Sequence, residues 1–234
     1  MIEQRDYQAG ALTCRADIAR PSGPGPHPAV LIAPTVRGPT DLERAIAERL
    51  ARRGWLGVLI DLYGKDKRDM APDESSAQMS ALLADRALLR DRMQAALAFA
   101  QGLDGVDTKR IAIIGYCFGG LCALDLARTG TNAIRGVISF HGLFTPPNLG
   151  DQGPIATKVL ALHGWDDPLA RPDAVLGFAA EMTAAGADWQ LHAYGHVGHA
   201  FTNPGAHAPG LAYHEDADRR SWAALETFLG EIFA

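Results

Sequence analysis

Short apolar runs alternate with segments of helical periodicity along most of this chain. Six of these runs are typical of buried strands, at residues 29–33, 56–60, 111–114, 134–140, 158–162 and 189–194. The first intervening segment opens with a capping box of Thr40 and Glu43 and ends at Gly54, as a crossover helix would. Strands joined by helices form a mostly parallel sheet covered on both faces, so the pattern predicts an α/β fold.

The other helices are predicted from apolar side chains at helical spacing. One long helix is expected with Met79 and Leu97 on its apolar face. Further helices are predicted through residues 121–127, 175–182 and 222–232. Apolar residues make up 47% of the chain and no linker divides it, so residues 1–234 are expected to form a single domain.

Charge and composition argue against several kinds of partner. The net charge is −5 and no run of five basic residues occurs, so nucleic acid and anionic membranes have no electrostatic basis for binding. No apolar stretch approaches the roughly 20 residues of a membrane span, and a signal-peptide pattern is missing. Three cysteines and scattered histidines predict neither a disulfide framework nor a metal site. We expect a cytoplasmic protein without a cofactor, as a monomer or homodimer.

The segment from Gly115 to Gly119, GYCFG, has the spacing of a nucleophile elbow with Cys117 at its centre. Small residues are needed on both sides of such a turn because the backbone is crowded there. The helix that follows would point its N-terminus at the sulfur, which favours the thiolate, and the Phe118 amide would donate to an oxyanion beside it. The competing interpretation is a tight turn around a buried, inert cysteine.

Two further candidate groups follow later strands. His199 comes after the last predicted strand and suits a general base, while Asp167 follows the strand 158–162 and suits the carboxylate that orients it. The chain order nucleophile, acid, histidine is that of α/β-hydrolases. Asp166 is the alternative acid. His163 and His196 are interpreted as surface or hydrogen-bonded residues.

Four motifs together resemble the dienelactone hydrolase family: DLYG, GYCFGG, LHGWDDP and GHAFTNP, in this order and at this spacing. The resemblance runs from about Val30 to the C-terminus. It implies an α/β-hydrolase fold with a sheet of about eight strands, no large cap domain, and a triad of Cys117, His199 and Asp167. It also implies an oxyanion hole formed by the Phe118 and Val36 amides.

Three departures from the family pattern affect substrate binding. Thr35 stands where the family has a glutamate that contacts the nucleophile, and Asn203 stands where it has an arginine for the substrate carboxylate. A second family arginine has no counterpart here; Arg37 is a substitute or simply an exposed loop cation. Losing a bidentate arginine weakens selectivity for anionic lactones, so a more neutral substrate range is expected. Trp165 and Phe201 line the pocket or belong to the core.

The predicted function is hydrolysis of a small carboxylic ester or lactone through an acyl-thioester on Cys117. An uncharged pocket would also admit phosphotriesters, so promiscuous turnover of these is a further hypothesis. The alternative function is a non-catalytic, ligand-binding or redox-sensing domain on a hydrolase scaffold. Thr35 favours that alternative, and the intact set of Cys117, Asp167 and His199 opposes it.

Overall fold

The computed structural model describes residues 2–150 and 152–234. Its main sheet has eight strands: β1 (Ile2–Ala9), β2 (Leu12–Ala19), β3 (His27–Ala33), β4 (Leu56–Leu59), β5 (Val106–Tyr116), β6 (Gly136–Phe140), β7 (Lys158–Gly164) and β8 (Trp189–Tyr194). A separate two-stranded ribbon consists of β9 (His207–Ala208) and β10 (Leu211–Ala212). The six helices are α1 (Asp41–Arg52), α2 (Pro72–Ala84), α3 (Arg86–Gln101), α4 (Phe118–Arg128), α5 (Pro172–Ala184) and α6 (Glu215–Ile232).

The strand order across the main sheet is β1-β2-β4-β3-β5-β6-β7-β8. All pairs from β4 to β8 are parallel, and β1 and β2 add an antiparallel edge. The predicted α/β-hydrolase fold with a mostly parallel sheet is confirmed, and the described residues contain no large cap. All six strands predicted from apolar runs are present.

Two core regions lie on opposite faces of this sheet. Alternate residues of β3 point to different sides, so Leu31 joins one cluster and Ile32 the other. The first cluster includes Met93 of α3 and most of α4, whereas the second includes Leu50 of α1 and Leu225 of α6. Helices therefore cover both faces, as the sequence predicts. None of the described helices is long and apolar enough to cross a membrane.

The long helix predicted around Met79 and Leu97 is two helices, α2 and α3. The break falls at Asp85, whose backbone leaves the helical region and whose side chain accepts a hydrogen bond from the Leu88 amide at 2.9 Å. An aspartate in this position starts a new helix because it satisfies an otherwise free amide of the first turn. The prediction of one continuous helix was wrong for this reason.

Candidate active site

Cys117 occupies the turn between β5 and α4, at the carboxyl end of a central strand. Its backbone has φ 56° and ψ −118°, a conformation that L-residues rarely adopt. The Cys117 amide donates to the Phe140 carbonyl at 3.0 Å, which ties the turn to the neighbouring strand. Cys117 is half-buried, so the residue is not sealed in the core. The competing interpretation of a buried cysteine is therefore not supported.

The glycines around this turn are required by close backbone contacts. A Cβ atom on Gly115 would lie 1.9 Å from the Gly119 carbonyl oxygen, and one on Gly119 would lie 2.1 Å from the Ala33 oxygen. No real Cβ contact is that short. The small residues predicted on each side of Cys117 are thus explained by the packing of β3 and β5 against the start of α4.

His199 and Asp167 form a buried pair that lies beyond the ends of β7 and β8. The His199 Nδ1 to Asp167 Oδ2 distance is 2.7 Å, and both side chains are almost completely buried. Asp167 also accepts a hydrogen bond from the Leu169 amide at 2.8 Å. Asp166, the alternative acid, is exposed, and its carboxylate lies 3.8 Å from the exposed His196. The geometry thus selects Asp167 as the partner of His199.

The backbone of His199 is fixed from both sides by the ribbon that follows it. Its amide donates to the Gly210 carbonyl at 2.8 Å, and its carbonyl accepts from the Ala212 amide at 3.1 Å. Gly198 and Gly210 are in close contact, because a Cβ on Gly198 would lie 2.4 Å from the Gly210 oxygen. This anchor was not predicted from the sequence.

The environment of the His199 ring favours its protonated form. Burial lowers the pKa of His199, but the hydrogen bond to Asp167 and the neighbouring Cys117 thiol outweigh burial and raise it to about 9. Nε2 is buried and has no well-formed hydrogen bond among the described residues. The ring therefore has one nitrogen held by a carboxylate and the other unpaired on the side of the sulfur. A hydrogen bond between a base and a nucleophile is often long in the free protein and shortens only when substrate is bound.

The other cysteines differ from Cys117 in their surroundings. Burial raises the pKa of Cys14 to about 11 and raises that of Cys122 well above its ordinary value. Both side chains are completely buried and stay as neutral thiols. The two side chains are therefore small apolar members of the core.

His141 is a site residue that the sequence reasoning missed. It follows β6, and its ring packs edge-on against His199 with the centroids 4.9 Å apart. Its Nε2 lies 2.9 Å from the Thr202 hydroxyl oxygen. Burial lowers the pKa of His141 well below the ordinary value, so a neutral His141 ring packs against the protonated His199 ring. Its position directly after a strand was the only available signal.

Two backbone amides near Cys117 have no hydrogen-bond acceptor among the described residues. Neither the Val36 nor the Phe118 amide donates a hydrogen bond within residues 2–150 and 152–234. The Val36 carbonyl accepts from the Tyr63 hydroxyl at 3.2 Å, and the Tyr63 ring stacks on Phe118 at 6.4 Å. Tyr63 therefore links the two segments that carry the predicted oxyanion donors. It was missed as a residue, although its DLYG motif was noted.

Three predicted substrate-binding residues have other contacts. The Thr35 hydroxyl accepts from the Arg37 amide at 3.4 Å, and the Arg37 guanidinium donates to the Met70 carbonyl at 3.0 Å. The Asn203 side chain accepts from the Gly205 amide at 2.9 Å and so stabilises a turn. Arg37 is exposed at the loop surface, which agrees with the interpretation as a loop cation.

The two aromatic candidates differ. Trp165 follows β7 and is 42% exposed, so it is available to a ligand. Phe201 has no exposed surface and packs against His141 and Tyr194; its prediction as a pocket residue is wrong because it belongs to the core. His163 is also completely buried, and neither ring nitrogen has a well-formed hydrogen bond among the described residues. His163 is therefore not a surface residue.

The comparison with known proteins decides the family. A model of the dienelactone hydrolase family matches residues 14–233, which is most of the sequence. The chain belongs to the dienelactone hydrolase family. The resemblance stated from the four motifs is thereby confirmed, and so is the prediction of a hydrolase of the ester- and lactone-cleaving type.

Three relatives illustrate the match. A dienelactone hydrolase-like promiscuous phosphotriesterase from metagenomic libraries is 35% identical, with a TM-score of 0.95 over 100% of this chain and 99% of that one. A protein of Bradyrhizobium sp named "Probable 2-oxo-3-(5-oxofuran-2-ylidene)propanoate lactonase" is 31% identical over 80% of this chain and 78% of its own length. A dienelactone hydrolase of Anabaena variabilis, 20% identical with a TM-score of 0.67 over 97% of each chain, shares the fold.

Proposed function

We propose that this dienelactone hydrolase family member cleaves carboxylic esters or lactones with Cys117 as nucleophile, His199 as base and Asp167 as the group that orients the base. The observation that carries the proposal is the buried 2.7 Å contact between His199 and Asp167, beside a half-buried thiol at a strained strand-to-helix turn. This combination matches the roles that covalent hydrolysis requires. Residues 1–234 act as one domain, and no cofactor is needed.

The first half of the reaction forms a thioester. The proton of Cys117 passes to His199 Nε2, whose raised pKa favours the resulting thiolate–imidazolium pair. The sulfur then attacks the carbonyl carbon while the carbonyl electrons move to oxygen. The free amides of Phe118 and Val36 donate to this oxyanion. When the carbonyl re-forms, the C–O bond breaks and the leaving alkoxide takes the proton from Nε2. An acyl-thioester and an alcohol result; from a lactone, the alcohol stays attached to the acyl group.

The second half restores the thiol. A water molecule gives a proton to Nε2 as its oxygen attacks the thioester carbon. The C–S bond breaks, the acid is released, and the sulfur recovers the proton from His199. Asp167 stays ionised throughout and stabilises the imidazolium. A free thiol is needed in every cycle, which fits the reducing environment of the cytoplasm. We also propose that the protein is a monomer or homodimer.

The experiment that tests this mechanism is a panel of esters and lactones run on the wild-type protein and on Cys117→Ala. We expect turnover of the panel to disappear in the variant. Mass spectrometry after rapid quenching should find the acyl group on Cys117 in the wild-type protein. Turnover that persists without the sulfur would overturn the mechanism.

A neutral substrate range is supported by the contacts around the site. Asn203 is engaged in a turn, and Arg37 is bound to a backbone carbonyl, so neither offers the free fork that holds a carboxylate. Exposed apolar surface is present instead at Trp165 and Leu169, on the loop that carries Asp167. Hydrolysis of p-nitrophenyl acetate should therefore match or exceed that of a dienelactone carboxylate. A strong preference for the anionic lactone would contradict this proposal.

Phosphotriester hydrolysis is a second candidate activity. The relative that is 35% identical over the whole chain is described as a promiscuous phosphotriesterase. The same sulfur and amides could attack and stabilise a neutral phosphoryl centre. We expect slow release of p-nitrophenol from a paraoxon-type triester, lost in Cys117→Ala. No release above background at millimolar triester would reject it.

A non-catalytic domain remains the rival from another class. It predicts binding or oxidation of Cys117 without turnover. Burst kinetics with an activated ester separate the two, because only an enzyme releases a first equivalent of alcohol and then continues. A single stoichiometric burst with no steady state would favour the rival.

A further inference from the structure

Glu43 is a buried carboxylate that performs two separate tasks. It is only 1% exposed and lies in the first turn of α1. Its Oε2 accepts from the Thr40 amide at 3.1 Å and from the Thr40 hydroxyl, which completes the capping box predicted from the sequence. Its Oε1 accepts from the Thr35 amide at 3.3 Å. Capping uses one oxygen, so the contact to Thr35 is an additional function of the other.

The Thr35 contact lies one residue before the amide proposed to bind the oxyanion. Glu43 Oε1 holds the peptide between Pro34 and Thr35. The Thr35 carbonyl in turn accepts from the Gly38 amide at 3.0 Å. In a trans peptide the carbonyl and the next N–H point in opposite directions, so this bond directs the Val36 N–H away from the turn. Two consecutive peptide planes are thus fixed.

No other side chain holds the Thr35 amide among the described residues. The Tyr63 hydroxyl holds the Val36 carbonyl, on the far side of the residue. A donor aimed at a developing oxyanion must be fixed in advance, because a shift of about 1 Å can cost on the order of a hundredfold in rate. The carboxylate of Glu43 is the group that supplies this restraint from the α1 side.

We infer that Glu43 is a positioning residue for catalysis: through the Thr35 amide it fixes the loop that presents the Val36 N–H to the oxyanion. The inference rests on the proposed function, since it assumes that Val36 is an oxyanion donor. Glu43 itself touches neither substrate nor sulfur. It supports the loop at Thr35, the position where the family has a glutamate.

Three variants separate the two tasks of Glu43. Glu43→Ala removes both oxygens. Glu43→Asp keeps a carboxylate in the first turn of α1 but ends one methylene short of the Thr35 amide. Thr40→Val is the matched control, because it removes the hydroxyl of the cap and leaves the contact between Oε1 and Thr35 in place.

We expect kcat for p-nitrophenyl acetate to fall by roughly ten- to a hundredfold in both Glu43 variants, with KM changed by less than about threefold. Thr40→Val should keep kcat within about twofold of the wild-type value. Affinity for an aldehyde inhibitor, whose hemithioacetal oxyanion needs the same donors, should fall in parallel with kcat. Alkylation of Cys117 by iodoacetamide forms no oxyanion, so its rate should stay within about twofold in every variant.

The result that overturns the inference is a kcat in Glu43→Asp and Glu43→Ala equal to that of Thr40→Val. An iodoacetamide rate that falls together with kcat would also reject it, because Glu43 would then act on the thiol or on the fold. Loss of folding in both Glu43 variants, seen by circular dichroism, would show a purely structural residue. A wild-type protein without Cys117-dependent turnover would instead reject the proposed function.

Discussion

The polar groups at the two ends of α4 differ in how completely they are paired. At the N-terminal end, Cys117 has a strained backbone and a half-buried side chain, and the Phe118 amide has no acceptor in the described part of the chain. At the C-terminal end, Asp125 and Arg128 are buried in a network of ion pairs. These ends belong to one helix of 11 residues.

The network at the C-terminal end satisfies its charges thoroughly. Asp125 forms a bidentate pair with Arg86, with distances of 2.6 and 2.7 Å, and also accepts from Arg128. Arg128 forms a second bidentate pair with Glu181, both contacts at 2.7 Å. Both arginines additionally donate to the Thr145 carbonyl. A buried charge is tolerated only when it is paired and hydrogen-bonded in this manner.

The difference shows where this helix contributes to stability and where it contributes to chemistry. Groups paired in the resting protein have no capacity left for a substrate. The unpaired Phe118 amide at the N-terminal end of α4 costs some stability. It is free to donate a hydrogen bond to an oxyanion when one forms. Four predictions test this division, beginning with the largest expected effect.

Removing the Asp167 carboxylate, which belongs to the site at the N-terminal end of α4, should abolish most of the activity. In Asp167→Asn the amide no longer holds the productive tautomer of His199, and we expect kcat to fall on the order of 10⁴-fold. Asp166→Asn is the matched control, because that exposed carboxylate contacts only the exposed His196, and it should stay within about twofold. Steady-state ester hydrolysis measures both. Equal losses in the two variants would contradict the assignment of Asp167.

Breaking the network at the other end should affect stability and spare the chemistry. Asp125→Asn leaves Arg86 and Arg128 without their shared carboxylate, and we expect a loss of about 3–5 kcal/mol in the free energy of unfolding. The kcat of the folded variant should remain within about twofold. Asp91→Asn, which breaks the exposed pair with Arg90, should change neither quantity measurably. A hundredfold fall in kcat for Asp125→Asn, measured well below its melting temperature, would show that the two ends are coupled.

The raised pKa of His199 predicts that part of the pH dependence of stability comes from the candidate active site. The folded protein binds this proton more tightly than the unfolded chain, with a pKa of about 9 against 6.5. The resulting stabilisation is complete below about pH 6.5 and is lost as the pH rises through 9. Urea denaturation between pH 6 and 9.5 should show this decline in the wild-type protein, and it should be much weaker in His199→Asn. An identical decline in both proteins would assign it to other groups.

The smallest expected effect comes from adding a positive charge at position 203. Asn203→Arg places a guanidinium where the family has an arginine, at the cost of the hydrogen bond to Gly205. We expect kcat/KM for a dienelactone carboxylate to rise by roughly five- to tenfold, with little change for p-nitrophenyl acetate. A parallel change with both substrates would indicate altered loop structure rather than recognition of charge.

Much of the architecture was predictable because buried parallel strands are nearly continuous apolar runs. The antiparallel strands β1 and β2 were not predicted, since β1 is mostly polar and carries Glu3, Arg5 and Asp6 on a sheet edge. Their role in the core depends on long-range contacts, such as the Tyr7 hydroxyl donating to the Asp61 carbonyl at 2.6 Å. No local pattern encodes such a contact.

Within the site, the sequence indicated residues that directly follow strands. It did not indicate contacts between residues that are distant along the chain. Cys117, Asp167 and His199 each follow a strand, so their meeting at one edge follows from the topology. His141 also follows a strand, but nothing in the sequence shows that its ring meets His199. The capping box of Glu43 was visible in the sequence, yet its second contact to Thr35 depends on the path of the loop.

The ribbon of β9 and β10 follows His199 and fixes the backbone of this residue. The His199 amide donates to the Gly210 carbonyl and the His199 carbonyl accepts from the Ala212 amide, so residues 200–209 form a loop whose two ends are held together. Segments anchored at both ends accept changes of length at little thermodynamic cost. We therefore expect residues 203–206, which precede the ribbon, to accept changes of length while β9, β10 and His199 keep their places.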